Sequence, residues 1–340
     1  MNSKLHESRV VLVPGAAAPA GINAIKSLKM ANFSGKIVAT DSTSLSAGFF
    51  MADMSEILPE ADARYYVKRL FEIVKKHRVS VLLPSSGFDI YPYSENREEL
   101  AKIGATAVVS DRETLEICRD KILTYKTMLS KHALPFTTAD AGKVRSFPVI
   151  AKPRYGKGSR DIIKVNNEGD LDFVASSFEN VIFQEYLPGV EYTIDVLCDM
   201  NKKAIIAVPR IRLQTKAGIS TKGKIVRDAE LEITCMKIAQ DAGIRGPCCI
   251  QMKESTEGQL KLIEINSRLG GGTIFTTLAG ANFPQMILDL VEGAEVKIPK
   301  ISEITVVRYY EEIIIEAGQR SRKDLSFSEP GLLSEPGLPE

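Results

Sequence analysis

The chain has 340 residues, more than one hydrophobic core usually spans, so two or three packed lobes are expected. It is 44% hydrophobic and 26% charged, and its formal net charge of +1 speaks against a broad nucleic-acid or membrane footprint. Five scattered cysteines without a CxxC, three distant histidines (His6, His77, His132), a polar start (MNSKLHES) and no apolar run near ~18 residues argue against a disulfide scaffold, a zinc site, a Ser-His-Asp triad, a signal peptide and a membrane span; a reducing cytoplasmic setting is expected.

Arg9–Val13 (RVVLV) reads as a short apolar strand, followed by the turn VPGAAAPAG and a helical pattern from Ile22 to Met30. Lys36–Thr40 is a second strand closed by Asp41. Asp62–Lys76 carries Tyr66, Leu70, Ile73 and Val74 at helical spacing. Val79–Leu83 is a third strand, Glu95–Ile103 is helical, and Thr106–Val109 is strand again. Strands alternating with helices indicate a parallel α/β sheet, and this first lobe is assigned residues 1–110.

Asp111–Ser130 reads as one helix with Asp111 at its N-cap. Short strands then crowd together at Phe147–Lys152, Asp161–Val165, Val181–Glu185, Glu191–Cys198 and Ala204–Pro209, with helices at Glu168–Ser177 and Asp228–Ala242. Two further strands carry Gln251 and Glu264, with a TEG turn between them. This is an α+β pattern, an antiparallel sheet covered by helices. The expected division is a small lobe at 111–190 and a larger one at 191–316. Beyond Ala317 the chain turns polar and repeats SEPGL at Ser328 and Ser334, so 317–340 is expected to be a flexible tail.

Residues Lys261–Arg268 read KLIEINSR. On a strand, Glu264 and Asn266 emerge on the same face. A carboxylate, an amide oxygen and an arginine on one rim suit a hard cation carrying phosphates, and Gln251 in CCIQMK can add an oxygen from a neighbouring strand. An amphipathic edge strand ending in polar residues fits these residues alone equally well. The turn VPGAAAPAG can offer backbone N–H groups to an anion at a helix N-terminus. The dinucleotide fingerprint GxGxxG is broken, however: Gly15 is followed by Ala16 and Ala17, and the next glycine is Gly21. Asp41 could meet a ribose, as in a dinucleotide fold, or cap the next turn.

In VIAKPRYGKGSRD, Lys152 ends an apolar strand, and Arg154–Arg160 then combines two glycines with three basic residues. Such a loop can approach and neutralise phosphate, or be a solvated hairpin; GxxxxGK[ST] is absent. In VIFQEYLPGVEYTIDVL a strand ends at Glu185, a short connection turns at Pro188–Gly189, and Glu191 opens the next strand. An exposed connection between lobes can bind an adenine edge, and a nearby carboxylate a ribose; a plain hairpin is the alternative. Finally, Arg210, Arg212, Lys216, Lys222, Lys224 and Arg227 crowd one stretch, either a solvated face or a holder of carboxylate or phosphate.

Taken in order, these clusters resemble the ATP-grasp superfamily, in particular stand-alone proteins related to the large subunit of carbamoyl-phosphate synthetase. The resemblance covers roughly Arg9–Glu316 and rests on IAKP with its glycine-rich loop, on QEYLPGVEYTIDV, and on Gln251 with EINSR. It implies a Rossmann-like N-terminal lobe without NAD, a small lobe and a C-terminal lobe, with ATP clamped between the last two. By position, Lys121 and Lys152 would contact ATP phosphates, Lys152 also lying near the adenine. Tyr155, Gly156, Gly158 and Ser159 would belong to a mobile lid reaching Arg160. Gln184, Glu185, Tyr186 and Leu187 would hold the adenine through backbone groups, and Glu191 the ribose. Gln251, Glu264 and Asn266 would bind Mg2+, with Mn2+ an alternative. Arg268 would stabilise the transferring phosphoryl group, with Lys152 and Arg210 assisting at the reaction centre. Many relatives have an acid where Gln251 stands, and EINSR replaces EINPR.

The implied activity is ATP-dependent carboxylate–amine ligation through an acyl-phosphate, on an amino acid or another small carboxylate and an amine. Bicarbonate or carbamate phosphorylation is the alternative within the same chemistry. A non-catalytic nucleotide-binding protein and an NAD-dependent oxidoreductase are the alternatives outside it. Small-molecule substrates are the expected partners, with neither nucleic acid nor membrane, and a homodimer fits the resemblance.

Overall fold

The computed structural model describes residues 9–156 and 161–315. The first lobe is a parallel sheet of β1 (Val10–Pro14), β2 (Lys36–Asp41), β3 (Met54–Ile57), β4 (Val81–Leu82) and β5 (Thr106–Ala107), in the order β3-β2-β1-β4-β5. All five residues of β1 are buried, as a strand covered on both faces requires. Strand order reverses at β1, so a crevice opens at the carboxyl ends of β1 and β4. Three loops meet there: the glycine turn after β1, the Asp41 turn after β2 and PSSGFD after β4.

The small lobe is an antiparallel sheet of β6 (Thr137–Thr138), β7 (Val149–Pro153), β8 (Ile163–Val165) and β9 (Val181–Glu185), ordered β6-β9-β7-β8. Helix Glu168–Ser177 covers it, with Leu171 and Val174 packed on Val149, Ala151 and Phe183. The third sheet is antiparallel: β10 (Glu191–Cys198), β11 (Ala204–Lys216), β12 (Ile219–Ile225), β13 (Pro247–Glu254), β14 (Leu260–Asn266) and β15 (Thr305–Val307), ordered β14-β13-β10-β11-β12-β15. Leu231, Cys235 and Ile238 of helix Ala229–Asp241 pack on Ile194, Val196 and Ile250 of this sheet. A separate cluster joins Val11, Val13, Ile25 and Leu28 of the first lobe to Leu197, Val208, Ile225, Phe275 and Phe283. The first and third lobes are therefore joined by a common cluster in addition to the cores each has of its own, whereas the small lobe carries a separate one.

Several boundaries differ from the sequence expectation. The helix expected over Asp111–Ser130 is two helices, Arg112–Arg119 and Lys121–Met128, broken at an extended Asp120. The Asp120 carboxylate leaves the helix line to accept from the N–H groups of Ile122 and Leu123 and from the Arg154 guanidinium. Asp111 is not a side-chain cap; Arg97 and Lys202, each at 2.7 Å, and Arg245 at 3.7 Å hold it instead. Glu95–Ile103 is likewise interrupted, by Asn96 between Ile90–Glu95 and Arg97–Lys102. The basic stretch after Arg210 is a hairpin, with β11 continuing to Lys216 and turning at Ala217–Gly218, both at positive φ, into β12. The SEPGL segment lies outside the described residues.

Candidate active site

Lys152 closes β7 in the middle of the molecule, 7% exposed. Its Nζ donates to Gln184 Oε1 at 2.8 Å, and Gln184 Nε2 donates to Thr137 Oγ1 at 2.9 Å, so β7, β9 and β6 together fix the ammonium. Burial pushes the Lys152 pKa down to about 8; Glu264 and Glu191 oppose that shift and Lys121 adds to it. Burial also lowers the Lys121 pKa, against the pull of Glu264 and Asp120. Two ammonium groups from the small lobe and its entry helix thus lie within electrostatic reach of a carboxylate on β14.

The loop expected to form a lid leaves β7 through Arg154 and Tyr155. Arg154 grips Asp120 through Nε (2.8 Å) and Nη2, and the Tyr155 hydroxyl reaches the same carboxylate at 3.2 Å. The Lys121 N–H and Nζ both face the Arg154 carbonyl at 3.4 Å. Asp120 therefore ties the start of the loop to the helix carrying Lys121, a role the sequence reading did not assign. Its signal was an Asp immediately before a helical run. Gly156 is exposed; Gly158 and Ser159 lie outside the described residues.

Residues 186–190 join β9 of the small sheet to β10 of the large one. Of the residues expected to hold an adenine, Gln184 lies within β9 and uses its side chain on Lys152 and Thr137. The Glu185 N–H is taken by the Phe136 carbonyl, and its carboxylate accepts from Lys261 Nζ at 2.7 and 2.9 Å. Glu185 is thus a brace between the lobes, and its N–H is not open to a ligand. Leu187 is buried, and Lys164 Nζ sits over the Tyr186 ring at 4.3 Å. Glu191 opens β10 and accepts from Arg212 Nη1.

Gln251 and Glu264 are direct cross-strand partners on β13 and β14, with a register shift just after Gln251. Asn266 follows on the face of Glu264, and Arg268 turns back, its Nη2 3.4 Å from Asn266 Oδ1 and its Nη1 donating to the Leu269 carbonyl at 2.9 Å. Among the described residues, no hydrogen bond or ion pair engages the Glu264 carboxylate or the Gln251 amide. No group of three or more His, Cys, Asp or Glu there could hold a metal by itself. One free carboxylate with two amide oxygens fits Mg2+, which binds through one or two carboxylates plus substrate phosphates.

Gln251, Glu264, Asn266 and Arg268 also line a cavity of about 420 Å³. Its opposite wall is the first-lobe crevice: Gly15, Asp41, Glu60 and the Ser85–Asp89 loop. Its base is the Gly270–Gly272 loop with Arg210 and Arg212. The glycine turn is shaped by φ +64 at Gly15, and a Cβ on Gly21 would fall 2.3 Å from the Gly15 carbonyl oxygen. Asp41 caps turns, accepting from the Ala17 N–H at 2.8 Å and the Thr43 N–H at 3.2 Å. Of the two roles open to it in sequence, this is the one the geometry displays.

Arg210 is not the free cation expected from the basic stretch. It is 2% exposed, and its Nη1 donates to Asp195 Oδ2 at 3.0 Å and to the Gly272 carbonyl at 3.2 Å. Asp195 also accepts from Thr276 Oγ1 and from Cys249 Sγ at 3.0 Å. The register explains the pair: Thr193 faces Arg210, so the arginine reaches Asp195 two residues along β10. The acid in the apolar part of this strand, TIDV, was its sequence signal, since a carboxylate among apolar residues needs a partner. Arg212 is similarly committed, to Glu191 and the Gly218 carbonyl. Arg268 remains, in no ion pair among the described residues.

Two family models match the chain: "PylC-like, N-terminal domain" over residues 17–109 and "ATP-grasp in the biosynthetic pathway with Ter operon" over residues 177–313. A D-alanine–D-alanine ligase of Stutzerimonas stutzeri is 22% identical over 193 residues, 48% of this chain and 59% of that protein. A carbamoyl-phosphate synthase of Methanobrevibacter smithii is 23% identical over 245 residues, 65% of this chain and 66% of that protein. The chain thus spans less than two thirds of either relative. N5-carboxyaminoimidazole synthetase of Staphylococcus aureus, solved with ADP, superposes with a TM-score of 0.70 at 16% identity, covering 88% of this chain and 81% of that one. The three-sheet architecture and these matches agree on the ATP-grasp fold, with a first lobe that is similar to the PylC-like N-terminal domain.

Proposed function

We propose that the protein is an ATP-dependent carboxylate–amine ligase. The observation that carries this reading is the position of Glu264. On one side it acts on Lys121 and Lys152 between the two antiparallel sheets; on the other it lines the cavity beside Arg268. A nucleotide triphosphate between the sheets would therefore present its terminal phosphate at the wall of a cavity sized for a small acid.

A carboxylate does not acylate amines because oxide is its leaving group. Transfer of the γ-phosphoryl group to a carboxylate oxygen breaks the bond to the ADP oxygen and gives an acyl-phosphate. An uncharged amine then attacks the carbonyl carbon, phosphate leaves with the C–O electron pair, and the amine sheds a proton. Lys121 and Lys152 would hold the phosphates, and Arg268 would balance charge on the transferring group. Gln251, Glu264 and Asn266 would hold Mg2+, which neutralises phosphate charge when bound. The Arg154–Asp120–Tyr155 clamp holds the start of the loop against the helix that carries Lys121. Arg210 supports the Gly270–Gly272 loop rather than touching substrate.

The test is ADP release from Mg–ATP with pools of amino acids, small carboxylates, amines and bicarbonate. Stimulation by an acid–amine pair, lost in Glu264→Ala with the fold retained, supports ligation. Stimulation by bicarbonate alone would move the reading to carbamoyl-phosphate-type chemistry. Unchanged turnover in Glu264→Ala would remove Glu264 from the mechanism.

A further inference from the structure

The cavity has two chemically opposite walls. Arg268, Arg210 and Arg212 stand on the side of the large sheet; Asp41 stands at the end of β2, and Glu60 and Asp89 on the loops after β3 and β4. Asp195 and Glu191 already neutralise Arg210 and Arg212. Among the described residues, no ion pair balances the acidic wall in the same way. The donors that reach it are neutral: the Ala17 and Thr43 N–H groups to Asp41, the Ser42 hydroxyl to Glu60 at 2.6 Å, and the Tyr66 hydroxyl to Asp89.

Asp89 lies deep in the first lobe yet keeps accessible surface, because that surface is cavity wall. Burial raises its pKa and the like charge of Asp41 adds to the shift, while hydroxyl donors only partly oppose it. An independent feature sits beside it. Thr40, on the same wall, is 1% exposed, and its Oγ1 has no hydrogen-bond partner among the described residues. A buried hydroxyl without a partner calls for one from a ligand or water. A group that both donates hydrogen bonds and carries positive charge, as an ammonium does, would give this acidic wall the balance that Asp195 and Glu191 give the arginines.

We propose that this wall binds a protonated amine on the acid substrate, so that the acid to be activated is a zwitterion with its carboxylate toward Glu264 and Arg268 and its ammonium at Asp89. Asp41 and Glu60 contribute negative field. The anchored nitrogen is not the nucleophile, because its lone pair carries the extra proton. The attacking amine belongs to the second substrate. The inference rests on the ligase reading and narrows it from small carboxylates to amino acids.

The experiment compares matched pairs by calorimetry in the presence of a non-hydrolysable Mg–ATP analogue: L-alanine against propionate, 4-aminobutyrate against butyrate, 5-aminovalerate against valerate. At least one amino partner is expected to bind ten times or more tighter than its deaminated mate. Asp89→Asn, which keeps the shape and can still accept from Tyr66, is expected to remove most of that preference. Glu60→Gln, on the exposed rim, should reduce it only a few-fold. Amino and deaminated partners that bind alike, or do not bind, overturn the inference, as does a preference that survives Asp89→Asn. ADP release driven by deaminated acids would sink the inference and leave the ligase reading standing. Tight, Asp89-dependent amino-acid binding without ADP release from any amine pair would support the inference and sink the ligase reading.

Discussion

Lys152 is bound to Gln184 by an uncharged amide oxygen at 2.8 Å, not by a carboxylate. A buried ammonium held this way has its charge only partly compensated, which is why burial brings its pKa to about 8. A polyphosphate arriving beside it would supply the missing charge and raise that pKa. Mg–ATP binding at pH 8.5 should therefore take up protons, and affinity should fall as pH climbs above 8. Calorimetry in two buffers of different ionisation enthalpy measures the uptake. In Lys152→Met the uptake should shrink and affinity drop about tenfold or more, equivalent to about 1.4 kcal/mol. No proton uptake in the wild type would place the phosphates elsewhere. The same group has a sign for stability: from about pH 8 to the ordinary lysine value, the unfolded chain holds a proton the folded chain has shed, so stability rises with pH.

Asp120 serves three elements at once: it caps helix Lys121–Met128, pairs with Arg154 and receives the Tyr155 hydroxyl. Asp120→Ala should lower stability by about 1–2 kcal/mol through the lost cap. Asp120→Asn keeps an acceptor for the cap and loses the ion pair, so its stability should lie nearer the wild type. Both variants should raise the KM for ATP, because the loop loses its tether next to Lys121. Thermal melts with nucleotide titrations separate the two effects; a wild-type KM in both would leave Asp120 with a purely structural role.

Arg210 and Asp195 form an ion pair with both partners nearly dry, 2% and 1% exposed. Removing one partner strands the other, at a cost of about 3–5 kcal/mol. Asp195→Leu and Arg210→Met should each be strongly destabilised, and the double variant should recover a good part of the loss. Denaturant melts of the four proteins give the coupling. Full stability of Arg210→Met with abolished turnover would instead restore the arginine to a direct role on substrate.

These cases show where sequence carried information and where it stopped. The apolar periodicity of Val10–Val13 and of Tyr66, Leu70, Ile73 and Val74 determined which faces are buried, so the parallel lobe was readable. The spacing of Glu264 and Asn266 implied a shared face, and the structure sets Gln251 directly opposite Glu264. What pattern alone could not reveal was charge pairing over distance. The Arg210 stretch reads as a solvated basic run until β10 brings Asp195 beside it. Asp111 reads as a cap until Arg97, Lys202 and Arg245 converge on it from three distant parts of the chain. The three-residue β15 and the four-residue β3 are too short to show a period, and pairing with their neighbours creates them.

The Gly270–Gly272 loop supplies the base of the cavity, and its glycines answer to packing. A Cβ on Gly272 would fall 2.3 Å from Arg210 Nη2 and 2.6 Å from its Cζ; one on Gly270 would fall 2.3 Å from Cys249 Sγ. Arg210 cannot swing away freely, since Asp195 and the Gly272 carbonyl hold it. Gly272→Ala should therefore cost about 1–3 kcal/mol through overpacking and push the loop toward Arg268. Gly258→Ala is the control: its Cβ meets nothing within 4 Å, though φ +79 makes it costly too, and it lies in the β13–β14 turn. At comparable loss of stability, Gly272→Ala should lower kcat/KM for the acid and Gly258→Ala should not. Equal kinetic effects from the two would mean that the loop answers only to general stability, and that its contact with Arg210 has no part in shaping the cavity.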